Sequence, residues 1–240
     1  MIKIIPAKDR HYNDFGWLKI YWLFSFDTYH DPENIRFGNL RVFNDDIVDA
    51  ESGFPEHPHH EMEIITIPLS GELSHADSTG AKSTIIPGEV QRMSAGSGLS
   101  HSEFNKGVGP VHLFQIWIYP SKRGLKPSYD QKNIVTSSWH NRLFAVASGT
   151  DSNDGITLNA DSTIYRAALD RGKSLKHKIK SNRGAFIYIS CGSVEFSGNR
   201  LEKTIKLSAG DQARISNHGM ISLDALENSE LILIDVKLTE

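Results

Sequence analysis

A chain of 240 residues with 26 basic and 29 acidic side chains, net charge -3, is long enough for one large or two modest domains that each bury a core. Its balanced charge provides no global positive field, which argues against direct nucleic-acid binding and against attraction to anionic lipid. The single cysteine, Cys191, excludes an intramolecular disulfide, a thiolate zinc cluster and a CxxC redox pair.

Residues 1–10 lack the apolar stretch of a signal peptide, and no run is long enough to span a bilayer, so a soluble, cytoplasmic protein is expected. Apolar residues then fall into short runs parted by Gly, Pro, Asn, Asp and Ser. β-Branched and aromatic residues fill the runs and helix-period segments are scarce, a pattern that predicts an all-β protein. In chain order the predicted strands include 40–43, 63–69, 91–93 and 112–118, then 162–169, 185–190 and 231–238. Between the two groups, 122–138 is polar, contains Pro127 and has no clear period, so it reads as a linker. Cys191, at the end of an apolar run, is expected to be a small buried side chain.

A glycine echo supports two similar halves. Gly71 and Gly88 stand 17 residues apart, and Gly192 and Gly210 stand 18 apart, each beside an apolar run. Glycine takes positive-φ turns that other residues resist, so the repeated spacing predicts a duplicated β-unit.

Two short segments carry the candidate chemistry. His57-Pro58-His59 and His101-Ser102-Glu103 each space two donors at the two-residue period of a strand, which turns each pair to one face. Three neutral imidazoles and a carboxylate suit a divalent transition metal and leave coordination positions open. Either pair alone also fits a polar turn facing water; strand-like sequence after the first and glycine-rich turns before the second favour convergence. Carried across the echo, the ligand positions fall on Lys178, Lys180 and Leu223, so the second half has no donor set. His177 and His218 therefore read as surface or turn histidines. His60 should point outward, His75 and His112 should be structural, and Trp17, Trp22 and Trp117 should be core. Met93 and Phe37 are pocket candidates. Arg41, Asp45 and Asp46 read as an ion-pair or turn cluster.

At these residues the chain resembles a known family. Gly53, His57, His59, Glu63 and Gly71, then Gly88, His101 and Asn105, resemble the two cupin motifs. Phe15-Gly16-Trp17-Leu18, Tyr29-His30-Asp31-Pro32, Leu40-Arg41-Val42-Phe43-Asn44-Asp45-Asp46, Met93-Ser94-Ala95-Gly96 and Gln115-Ile116-Trp117 resemble the pirin family within that superfamily. The matching phrases cover 15–117 densely and thin out beyond 130.

The resemblance implies a bicupin: two antiparallel β-sandwich or jelly-roll barrels face to face, with 1–125 a metal-binding cupin and 126–240 a degenerate cupin without metal. It implies one divalent metal, iron first, with nickel, copper, manganese, cobalt and zinc also accommodated, held by His57, His59, His101 and Glu103. Glu103 would serve in addition as catalytic base. The general cupin glutamate, Glu63, shares strand parity with His57 and His59, so it or Glu61 competes for the acidic position; otherwise Glu63 reads as an acceptor for a ligand imidazole N–H. The implied activity is of the quercetin 2,3-dioxygenase type, in which O2 opens a flavonol or related enol ring. The alternative is a non-catalytic, metal-dependent regulator that binds a protein partner. Closed barrels expose few strand edges, so a monomer is expected.

Overall fold

The computed structural model describes residues 1–149, 154–199, 201–217 and 219–238. The first half contributes β1 (Ile2–Ile5), β2 (His11–Asp14), β3 (Leu18–Trp22), β4 (Leu40–Val48), β5 (Ser52–His59), β6 (Glu63–Ser70), β7 (Leu73–Asp77), β8 (Lys82–Ile85), β9 (Glu89–Ser94), β10 (Leu99–Asn105), β11 (Val111–Ile118) and β12 (Ser128–Asn133). The second contributes β13 (Phe144–Ser148), β14 (Ile156–Thr157), β15 (Ser162–Leu169), β16 (Ser174–Ile179), β17 (Arg183–Cys191), β18 (Ser193–Gly198), β19 (Ile205–Ser208), β20 (Gln212–Ser216), β21 (Gly219–Ala225) and β22 (Ser229–Lys237).

These strands build two sandwiches of the same design. One pairs the sheet β12-β9-β6-β11-β4-β3-β2 with β5-β10-β7-β8; the other pairs β1-β20-β17-β22-β15-β13-β14 with β16-β21-β18-β19. The expected duplication is present over β4–β11 and β15–β22, which correspond in chain order and sheet position; the edges differ, since β14 pairs β13 in parallel where β2 pairs β3 antiparallel. Gly71 (φ 74°) and Gly192 (φ 74°) make the turns after β6 and β17, and Gly88 (φ 92°) and Gly210 (φ 85°) lead into β9 and β20. Close approach reinforces the requirement, since a Cβ on Gly71 would lie 2.7 Å from the carbonyl oxygen of Pro110 and one on Gly192 would lie 2.3 Å from that of Asn228.

The two seven-stranded sheets face each other, which explains why β6 and β17 are buried on both faces instead of alternating. Between them Phe43 meets Phe114, Phe186 and Tyr188 at ring distances of 5.2, 5.2 and 5.1 Å. Polar bonds tie the halves together as well. Tyr188 donates to Asp45 Oδ2 (2.5 Å), Arg10 donates to the Tyr188 hydroxyl (2.6 Å), and Arg214 donates to the carbonyl oxygen of Leu23 (2.8 Å).

Several expectations need correction. Each half is an open sandwich and not a closed barrel, so the edge argument for a monomer loses its premise. The stretch read as a linker contains β12, which pairs with β9 from Ser128↔Ser94 to Asn133↔Glu89. Backbone pairing at a sheet edge does not depend on apolar side chains, so composition hid this strand. β1, from the start of the chain, joins the second sandwich through β20 and so holds there the edge position that β12 holds in the first. Cys191 is exposed, because the register shift after Ile189 and the turn at Gly192 carry it out of the core. His177 is no surface histidine: it points inward, packs on Tyr165 and bonds Asp235 Oδ2 at 2.8 Å. His218 lies outside the described residues.

Candidate metal centre and cavity

The four-stranded sheet of the first half carries the histidines. In the β5–β10 pair His57 stands opposite His101 and His59 opposite Leu99, and the register slips between His101 and Glu103. The three imidazoles of His57, His59 and His101 cluster with ring centroids 4.5 to 4.9 Å apart. One donor atom from each lies within 4.8 Å of the others. A second set, His75, His101 and Glu103, meets the same limit and shares His101. Glu103 therefore approaches the histidine cluster from the His101 side and falls outside the 4.8 Å set that His57, His59 and His101 form.

Hydrogen bonding separates free donors from committed ones. His75 is bonded at both ring nitrogens, Nε2 to Asp77 (3.1 Å) and Nδ1 to Gln91 (2.9 Å), which makes it the structural histidine expected. His57 Nδ1 lies 2.8 Å from the carbonyl oxygen of Pro55; donation to that carbonyl leaves Nε2 with its lone pair. His59 Nε2 and His101 Nδ1 are buried without any hydrogen-bond partner. Burial, followed by the neighbouring imidazoles, lowers His59 to about 4 and His101 to about 3, so both rings are neutral at physiological pH. Neutral imidazoles with unpaired buried nitrogens are the state that binds a divalent transition metal, and these residues fit one.

Glu103 is 2% exposed, and its carboxylate is oriented from two sides. Gln115 donates to Oε2 at 2.7 Å and Thr66 donates to Oε1 at 3.4 Å. The Gln115 amide is itself fixed, because its oxygen accepts the Trp117 indole N–H at 3.1 Å. Burial raises the Glu103 pKa above the usual carboxylate range, opposed by the nearby imidazoles and by the Gln115 bond.

Glu63 and Glu61 stand elsewhere. Glu63 is buried in the seven-stranded sheet, where Ser94 and the Asn159 backbone N–H bond it; Glu61 accepts from the Gly124 N–H. The parity argument fails because the chain turns at Glu61 (φ 50°) and β6 starts afresh in the other sheet. Glu63 thus lies outside both donor groups and bonds none of the clustered imidazoles. His60 points outward as expected, and His112 bonds Asp45 at 2.6 Å.

Beside the histidines opens a cavity of about 400 Å³, walled by Phe15, Trp17, Trp22, Phe26, Phe54 and Trp117, with Asn44, Asp46, Glu103 and Gln115 among its polar groups. His57 and His59 form part of its lining. The volume suits a small aromatic molecule. Trp117 meets His59 edge-on at 4.8 Å and Phe26 at 5.2 Å; Trp22 is buried in a core cluster as expected, with Trp17 packed against it, and all three tryptophans also line the cavity. Met93 and Phe37 do not line it; both pack into core clusters. Within 41–46, Arg41 caps the backbone oxygens of Ser25 and Ile35 and Asp45 accepts from Tyr188, while Asp46 faces the cavity.

Comparison with known proteins places this geometry in context. The family described as Pirin matches residues 6–118, and one described as the quercetinase C-terminal cupin domain matches 145–236. A pirin-like protein of Caulobacter vibrioides is 38% identical, over 92% of this chain and 94% of its own. Quercetin 2,3-dioxygenase of Escherichia coli K12 is 36% identical, over 98% and 99%. The crystal structure of the bacterial pirin YhhW of Escherichia coli in complex with nickel(II) superposes with a TM-score of 0.91 at 35% identity, covering all of both chains.

Proposed function

From the premise that this chain belongs to the pirin family, we propose that it is a metal-dependent dioxygenase of the quercetin 2,3-dioxygenase type, opening a flavonol or related enol ring with O2. His57, His59, His101 and Glu103 would hold one divalent ion, iron in the first instance. The ion supplies a positive centre that favours a deprotonated enol oxygen and brings substrate and O2 together.

The chain's own residues do the rest. Trp17, Phe26, Phe54 and Trp117 hold the aromatic ring by stacking and edge contacts and keep water away from it. Glu103 takes the proton of the substrate hydroxyl: burial has already raised its proton affinity, and Gln115 occupies Oε2 and so aims the carboxylate. Gln115, anchored by Trp117, is a positioning residue for that base.

The observation that carries this reading is the pair of buried, unpaired imidazole nitrogens of His59 and His101 beside an aromatic-walled cavity. Elemental analysis of the purified protein, followed by an oxygen-uptake assay with flavonols after metal reconstitution, tests it. Loss of flavonol absorbance with stoichiometric carbon monoxide is the expected result. Metal-replete protein that consumes neither flavonol nor simple enol overturns the enzyme reading and leaves that of a metal-dependent regulator.

A further inference from the structure

A second recess, of about 410 Å³, opens at the turn between β5 and β6, away from the aromatic cavity. His60 and Glu61 of that turn line it, together with Tyr119 and Arg123 from the chain beyond β11 and Arg36 from the segment before β4. Among the described residues, three arginine side chains form neither a hydrogen bond nor an ion pair: Arg36, Arg123 and Arg171. Two of the three line this one recess. The other described arginines are each bonded to a carboxylate or to a backbone or hydroxyl oxygen.

A surface guanidinium without a partner is ordinarily just solvated, but these two are carried on anchored chain. The loop bearing Arg123 is tied where the Ser121 N–H donates to the Asn159 carbonyl (2.7 Å), where the Leu125 carbonyl accepts from the Ser97 N–H (2.8 Å), and where the Gly124 N–H donates to Glu61 (2.9 Å). Arg36 stands between the Ile35 carbonyl, which accepts from Arg41, and Phe37, whose backbone pairs with that of Leu40. Glu61 gives its carboxylate to Gly124 and pairs with neither guanidinium, so the recess keeps more positive than negative charge. The Tyr119 hydroxyl also has no partner within the fold. These groups are open to a ligand: Arg36, Arg123 and His60 are exposed, and Tyr119 is half-buried.

We propose that this recess binds a small organic oxyanion, a phosphate monoester or a carboxylate, with its acid group bridged between Arg36 and Arg123 and its body against Tyr119, Pro120 and Met62. A guanidinium presents paired N–H donors that match two oxygens of either acid, and such charge-assisted bonds are roughly twice as strong as neutral ones. Donors held in place before binding keep the ordering cost low. The volume leaves room for a body beyond the acid group. The site uses none of the clustered histidines, so it stands or falls apart from the dioxygenase reading.

Isothermal titration of the metal-loaded protein with phenyl phosphate and with benzoate, at low ionic strength, tests it. At least one probe should bind saturably with a Kd below about 1 mM, and the tighter of the two identifies the acid. Arg36→Gln and Arg123→Gln should each weaken that binding by at least about fivefold, and the double variant should abolish it. Arg171→Gln, which removes the unpartnered arginine outside the recess, should change it less than about twofold. Both recess arginines are exposed, so the variants should keep their fold, as unchanged metal content and urea midpoint will check. Failure of both probes to bind overturns the proposal, and so does binding that survives in the double variant, which would move the probe to the metal centre or the aromatic cavity.

Discussion

In the first sandwich the pair β5–β10 carries the clustered His57, His59 and His101, with Glu103 beside His101; in the second the matching pair β16–β21 turns in Leu175, Ile179, Ile221 and Leu223. The interiors differ accordingly. The second holds one continuous apolar cluster from Ala167 to Leu233, whereas the first is divided into a cluster around Trp22 and Leu113 and a smaller one around Met93 and Leu99, with the cavity opening beside them. One strand plan thus yields two interiors: a filled sandwich, and one hollowed beside a histidine cluster. The filled half also holds the wall of the hollow one. Arg214 bonds the Leu23 carbonyl at the root of the segment that bears Phe26 and Asp27, both of which line the cavity.

The comparison breaks most completely at one residue. His101→Leu places in the first half the side chain that Leu223 supplies in the second, and metal content should fall to background, with ring opening lost alongside it, as elemental analysis and oxygen uptake will report. An active, metal-replete variant sinks the proposed ligand set. Glu103→Gln removes the base while keeping an oxygen near the metal; a fall of about 10²–10⁴ in kcat is expected, read per bound metal ion.

The reciprocal change tests the filled half. Leu223→Ala should cost about 2–5 kcal/mol in urea unfolding, since a buried leucine is cut from a continuous cluster. Gln115→Leu, which frees Glu103 without touching a proposed ligand, should lower metal affinity or activity by about 10–100-fold and shift the pH profile of turnover. A variant with unchanged affinity, activity and pH profile removes the positioning role.

The smallest effect expected is on stability against pH. Folded His101 and His59 titrate at about 3 and about 4, against an ordinary 6.5. Between those values and 6.5 the unfolded chain binds protons that the folded, metal-free chain refuses, so stability falls as pH drops through that window and is level above it with respect to these groups. His101→Leu should flatten that slope; an unchanged slope would assign the loss to other groups.

Much of this was legible in advance, for reasons that can be named. The His-Pro-His and His-Ser-Glu segments are read from the two-residue period of a strand, and the glycine echo from a φ requirement at four turns; both are local properties. Glu63 misled because parity holds only within one strand, and the chain turns at Glu61. His177 misled because the count across the echo did not follow the register of β16, whose buried positions are Leu175 and Ile179. Asn44 and Asp46 carried no signal of their place in the cavity wall, since alternation along β4 marks a shared face and not what lies beyond it.

By its order of residues alone the chain determined an all-β duplication, a histidine-rich first half and a second half without the donor set, because strand period and glycine conformation act over a few residues. Tertiary packing decided that β1 joins the second sandwich while β12 edges the first, that Glu103 and not Glu63 approaches the histidines, and that Asn44 and Asp46 of β4 come to line an aromatic-walled cavity. Each of those outcomes depends on which sheet a strand joins and on what packs against its far face, and both are settled by segments distant in the chain.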